Sequence, residues 1–207
     1  MKERVYKRKV RNDKSKPRQK YDKTLPKEYK NYQKVFFDTE FTGLHKNTTL
    51  ISIGIICGEK TFYAELNDYD KNQINEWLQD NVISKLSLQN QNLNIAYENG
   101  GDTTFYGDKS SLKNVLEDWL SQFGNVQVWS DCLSYDWVLF NDIFGTAFDI
   151  PKNVYYIPFD ICTSFMDKNI DPDISREEFV NEKSESKHNS LHDARIIQKC
   201  YNKIYNL

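Results

Sequence analysis

The sequence has no apolar run near the ~20 residues that a bilayer-spanning helix needs, so no membrane span is expected anywhere in its 207 residues. It also lacks an apolar segment behind its basic N-terminus, so no secretory leader is expected and the cytoplasm is the expected location. Its four cysteines (Cys57, Cys132, Cys162 and Cys200) form no C-x-x-C pair. A disulfide framework or a structural zinc site needs closer grouping, so the thiols are read as reduced and mostly buried. Apolar bulk is not lacking. The hydrophobic fraction is 39% and the aromatic fraction 14%, with 13 Tyr and 12 Phe, enough to bury one domain's core.

A net charge of −2 hides an uneven distribution. Residues 1–34 hold 14 Lys/Arg against 4 Asp/Glu, whereas the other 173 residues hold 14 against 26. Residues 1–33 have few aliphatics, no periodicity and two prolines, so they are read as a flexible basic extension before a folded domain at 34–207. Such an arm suits phosphate contacts and equally suits a solubilising tail.

Within the domain, three strands come first: Val35-Phe36-Phe37 running into Asp38-Thr39-Glu40, then Leu50–Cys57, then Thr61–Leu66 after a Gly58-Glu59-Lys60 turn. Ile74, Trp77 and Leu78 follow at helical spacing, with helical or irregular chain to about residue 95. Residues 97–109, with Gly100-Gly101 and Gly107, read as a loop. A helix capped by Ser110 or Ser111 carries Leu112 to Phe123 and stops at Gly124. Val126–Trp129 is a fourth strand, Tyr135–Phe144 a helix closed by Gly145, and Val154–Ile161 a fifth strand. Ser175 with Glu178 fits a capping box, and a long helix from Ser190 buries Ala194, Ile197, Tyr201 and Ile204. This order predicts an α/β, ribonuclease-H-like fold, a mixed central sheet of three antiparallel strands and two further strands flanked by helices.

Acidic residues recur where such sheets build sites, at strand ends and helix starts. Asp38 and Glu40, two apart in a strand, project to one face. Two carboxylates held that close repel unless a cation lies between them, and oxygen donors suit a hard divalent ion. Among 18 Asp and 12 Glu, about one D-x-E arises by chance, so the pair gains weight from the Thr42-Gly43-Leu44 turn behind it, where a glycine admits close backbone approach. Asp193 falls in the first turn of the last helix, and His188 five residues earlier is placed to activate water. Between the fourth strand and its helix, Asp136 at the helix start is placed to point into the site and Asp131 at the strand's end competes with it, while either fits a plain cap as well.

The segments FFDTEFTGL, SYDWVLF and HNSLHDA resemble the three exonuclease motifs of the DEDDh group in the DnaQ-like superfamily. A histidine five residues before the last aspartate marks the His subtype. LISIGIICGEKTFYAEL, with YDW and HDAR, is most similar to the bacterial and phage exoribonucleases akin to mycobacterial RNase AS. The pattern departs at Ser52, where many members carry glutamate, and in the residues just before Asp136.

The resemblance implies a 3′–5′ exonuclease acting on single-stranded RNA or DNA 3′ ends, RNA slightly favoured, with a homodimer as the common assembly. It implies two divalent cations, Mg²⁺ or Mn²⁺, on Asp38, Glu40, Asp136 and Asp193, and His188 as general base. Thr42, Gly43 and Leu44 would hold the terminal nucleotide, while His192 and Asp160 would be peripheral. The competing expectation is a non-catalytic nucleic-acid-binding module on the same fold, although a cluster of anions does nothing for binding alone.

Overall fold

The computed structural model describes residues 31–89, 94–182 and 187–207. The basic extension expected at 1–33 therefore lies outside the described residues except for its last three positions. Seven strands form one mixed sheet in the order β4-β5-β3-β2-β1-β6-β7. The first three are β1 (Gln33–Phe41), β2 (Leu50–Cys57) and β3 (Lys60–Leu66), an antiparallel meander, as expected from the three apolar runs. β6 (Val126–Ser130) then runs parallel to β1 on its other side. The order β3-β2-β1-β6-β7 is that of a ribonuclease-H-like sheet, so the predicted fold class holds.

Two strands were not anticipated. The 97–109 stretch, read as a loop, is a hairpin of β4 (Ile95–Asn99) and β5 (Asp102–Gly107), with β5 parallel to β3. Gly100 and Gly101, at φ of 62° and 105°, form its turn, since a tight hairpin asks for positive φ at both central positions. The last strand is shorter than predicted. β7 is only Phe159–Asp160, paired with Trp129 and Ser130, while Val154 makes a single bridge to Val126. Pro158, having no N–H, cannot donate to a continuous ladder between them.

Helices cover both faces. On one side α2 (Lys109–Ser121) and α3 (Leu133–Phe144) bury Leu112, Leu116, Leu139 and Phe140 against Val35, Phe37 and Ile55. On the other, α4 (Ile161–Asp167), α5 (Arg176–Val180) and α6 (Ser190–Tyr205) pack around Phe36 and Trp129. α6 buries the four residues predicted, with Ile196 and Cys200 besides. The α2 cap is Asp108 rather than a serine, because its carboxylate already accepts from Ser111 N at 2.8 Å. α1 (Glu76–Asn81) is only six residues and buries Leu78 alone, and residues 90–93 beyond it lie outside those described.

Two details fix where α6 begins. A methyl group on Gly54 of β2 would overlap the backbone of Ser190 and Leu191, so only glycine lets helix and strand meet there. Beside it, the buried hydroxyls of Ser52 and Ser190 are hydrogen-bonded at 3.1 Å. All four cysteines are free thiols. Among the described residues no helix is long and apolar enough to cross a membrane.

Candidate active site

β1 and β6 run parallel, so their C-terminal ends open on the same edge of the sheet, and the start of α6 is held over that edge. Asp38 and Glu40 come from the end of β1, opposite Gly54 and Ser52 of β2. Asp131 follows β6, and Asp136 lies in the first turn of α3. Asp193 lies in the first turn of α6, whose N-cap is Asn189, accepting from His192 N at 3.1 Å. The peptide N–H of His188 donates to Asp193 Oδ2 at 2.9 Å, with the His188 backbone in the left-handed region at φ 67°. His188 and Asp193 are thus tied together by the turn that joins them.

These side chains converge on a cavity of about 740 Å³. Asp38, Glu40, His188 and Asp193 line it, as do Thr42, Gly43 and Leu44. Asp136 does not; it is fully buried behind Asp38. Three groups of donors result, one of them Glu177, His192 and Asp193 at the side of the cavity. One oxygen each from Asp38, Asp131 and Asp136 lie within 4.8 Å of one another, and so do donor atoms of Glu40, His188 and Asp193. The two acids between which the sequence left a choice therefore both stand beside Asp38. They differ in their partners. Asp136 accepts from Thr39 Oγ1 at 2.5 Å and from the Ser130 hydroxyl, whereas Asp131 pairs with Arg176 Nε at 3.2 Å.

Such crowding resists ionisation. Burial first, and then Asp136, Glu40 and Asp193, raise the Asp38 carboxyl well above the carboxylate range. Glu40 is pushed up to about 8 by burial and then by Asp193 and Asp136. Asp136 rises to about 7 through burial, opposed by the hydroxyls of Ser130 and Thr39. Asp193 also rises to about 7 through burial, opposed by the His188 N–H. Burial likewise raises Asp131, with Arg176 pulling against it. His188 moves the other way, lowered by burial and by Lys187. A set of hard oxygen donors that repel one another is the environment a divalent cation relieves.

The residues expected to hold substrate differ in exposure. Leu44 is 72% exposed on the cavity wall. Thr42 is buried, and its hydroxyl joins a knot with Thr49 N at 2.8 Å and Gln73 Oε1 at 2.5 Å, which fixes the loop carrying Leu44. His192 faces Glu177 at 3.6 Å, off the cavity wall, and Asp160 caps α4. Several cavity residues went unseen in the sequence, among them Arg176, Glu177 and Trp77. Trp77, read there only as one of three residues at helical spacing, is 54% exposed and meets the His188 ring.

Fold and site together define a class: a nuclease domain with clustered carboxylates at the end of the first strand of a ribonuclease-H-like sheet. The chain belongs to the family of 3′-5′ exoribonuclease Rv2179c-like domains, which matches it over residues 33–205. The chain thus carries a domain of the 3′-5′ exoribonuclease type, with acidic groups that could hold a divalent metal. No curated protein matches the chain. Among solved structures, the catalytic unit (protease and nuclease domain) of Neurospora crassa Pan2 is similar at 13% identity, covering 84% of this chain and 27% of that one, with a TM-score of 0.45.

Proposed function

We propose that the chain removes nucleotides one at a time from the 3′ end of single-stranded RNA, with single-stranded DNA a poorer substrate, releasing nucleoside 5′-monophosphates. The observation that carries this reading is the meeting of Asp38, Glu40, Asp193 and His188 on one cavity with Asp136 directly behind. Asp38, Glu40, Asp136 and Asp193 would hold two divalent cations, Mg²⁺ or Mn²⁺, and Asp131 stays on Arg176. When bound, such ions offset the charge that builds on the phosphoryl oxygens and on the leaving 3′ oxygen.

The chain's own groups do the rest. His188, whose partial burial disfavours the protonated form, takes a proton from the attacking water on an imidazole nitrogen. The water oxygen bonds to phosphorus, the bond to the penultimate 3′ oxygen breaks, and that oxygen leaves with a proton from solvent. Asp193 fixes the backbone from which the imidazole hangs. The 42–44 loop places Leu44 against the terminal nucleotide. The assembly in this reading is a homodimer.

Incubating the full chain with 3′-labelled single-stranded RNA and DNA in Mn²⁺ tests this directly. Nucleoside 5′-monophosphate release, lost in Asp38→Ala and His188→Ala, is the expected result. Binding that survives EDTA without nucleotide release would replace the reading with the non-catalytic one, and release undiminished in both variants would overturn the proposed site.

A further inference from the structure

Tyr63 and Glu65 lie on the sheet face that carries the catalytic carboxylates, two strands away from them. Directly opposed residues of an antiparallel pair share a face. Across β1, β2 and β3, Asp38 stands opposite Gly54 and Gly54 opposite Tyr63, and Glu40, Ser52 and Glu65 line up in the same way two residues along. Because Gly54 has no side chain, the start of α6 rests on the sheet there, and Tyr63 is its neighbour. Tyr63 is 5% exposed and Glu65 fully buried.

A buried carboxylate needs donors. Glu65 takes the Tyr63 hydroxyl at 2.8 Å, the Ser87 N–H at 2.6 Å and the Leu88 N–H at 3.0 Å. The phenol has a single hydrogen to give. Burial, and then Glu65, raise its ionisation well above the usual range, so that hydrogen is kept and directed to Glu65. The phenol oxygen is left to accept, and the Asn189 amide donates to it at 3.4 Å.

Asn189 is where these contacts reach the chemistry. Its Oδ1 caps α6 by accepting from His192 N, and its Nδ2 turns to Tyr63, so both ends of the amide are engaged. It directly follows His188, whose φ of 67° is one that a non-glycine residue keeps only where its surroundings hold it. Asp193 holds the N–H side of that bend. Tyr63 holds the residue after it.

Resting on the exonuclease reading above, we propose that Tyr63 is a positioning residue for His188. Its hydroxyl, oriented by Glu65, locks Asn189 and so fixes the direction in which the imidazole leaves the backbone. Tyr63 does not line the cavity; it acts on the rate through the proton acceptor alone.

Two arms test this on the full chain. In the first, Tyr63→Phe is made in wild type and in His188→Ala, and single-stranded RNA is the substrate in Mn²⁺. In wild type the change should lower kcat by about tenfold to a hundredfold and leave KM unchanged, as misplacement of a reacting group does. In His188→Ala it should cost nothing more, since residues that act as one unit are not additive. An unchanged kcat in Tyr63→Phe, or the same fold loss in both backgrounds, overturns the proposal. Asn189→Ser breaks the contact from its other end, keeping an oxygen to cap α6 but too short to reach Tyr63. It should repeat the whole pattern, also where Tyr63→Phe does not fold, and a wild-type kcat in Asn189→Ser overturns the proposal.

The second arm needs no turnover. The chain has three histidines, and the proton signals of the His188 ring are those lost in His188→Ala. The Trp77 ring, with its centroid 5.1 Å from that of His188, displaces them in the wild-type spectrum. In EDTA, Tyr63→Phe should return them toward the positions of free histidine. Signals that stay at their wild-type positions overturn the proposal. Signals that move, in a chain whose wild type releases no nucleotide, would keep the hold on His188 and remove the exonuclease reading beneath it.

Discussion

Asp136 and Asp193 each sit in the first turn of a helix and each is pushed up to about 7, yet they are held in opposite ways. Asp136 is fully buried, and both of its oxygens take side-chain hydroxyls that rise from the sheet itself, Thr39 on β1 and Ser130 on β6. Asp193 is half-buried and takes one backbone N–H from the turn that carries His188. One side of the site is set by the sheet, which is rigid before anything binds. The other is set by a turn that also carries the proton acceptor. The difference separates holding charge from moving a proton.

If that separation holds, substitutions on the two sides will be distinguishable. The largest effect is expected from Asp136→Ala, with kcat/KM falling more than about a thousandfold and Mn²⁺ affinity falling with it. Asp131→Ala, which removes an acid paired with Arg176 on the cavity wall, should lower kcat/KM by at least about tenfold less than Asp136→Ala does. Equal losses in the two variants would break the distinction. Next, His188→Ala should lower kcat by about 10²- to 10⁴-fold while calorimetric Mn²⁺ affinity stays unchanged. A parallel loss of affinity would show that the two sides are one.

Thr39→Val tests the sheet-borne side more gently. Removing its hydroxyl from Asp136 should weaken Mn²⁺ binding by about 10- to 100-fold, the usual range for groups that orient a ligand. The smallest effect concerns stability. In the folded chain Glu40, Asp136 and Asp193 rise to about 8, 7 and 7, above the roughly 4 of an unfolded carboxyl. The folded state then binds protons more tightly than the unfolded one. Metal-free stability is therefore full below about pH 4 and is lost as pH rises to about 8. Melting in EDTA between pH 5 and 8.5 should show a falling Tm, and saturating Mn²⁺ should flatten the slope.

Much of this site is legible in residue order because short-range geometry controls it. Asp38 and Glu40 share a face through the two-residue strand period. His188 and Asp193 are spaced across one helix start. The different surroundings of Asp131 and Asp136 are not legible, because they turn on where α3 begins and on Ser130 and Thr39 reaching Asp136 from two strands. The face of Trp77 is not legible either, because a six-residue helix with one buried residue shows too little periodicity to fix it. The β4–β5 hairpin was missed for a related reason. At the sheet edge, β4 exposes Tyr97 and Glu98 rather than a hydrophobic run.

Gly54 has a consequence for how the cavity can breathe. With strand and helix backbones in direct contact there, and Ser52 bonded to Ser190 alongside, the wall bearing Asp193 cannot slide or tilt relative to Glu40 without separating main chain from main chain. Incoming nucleic acid is accommodated against a fixed jaw. Any widening falls to the facing jaw, α1 and the loop of Leu44, which is fastened by side-chain hydroxyls and one small cluster around Leu78.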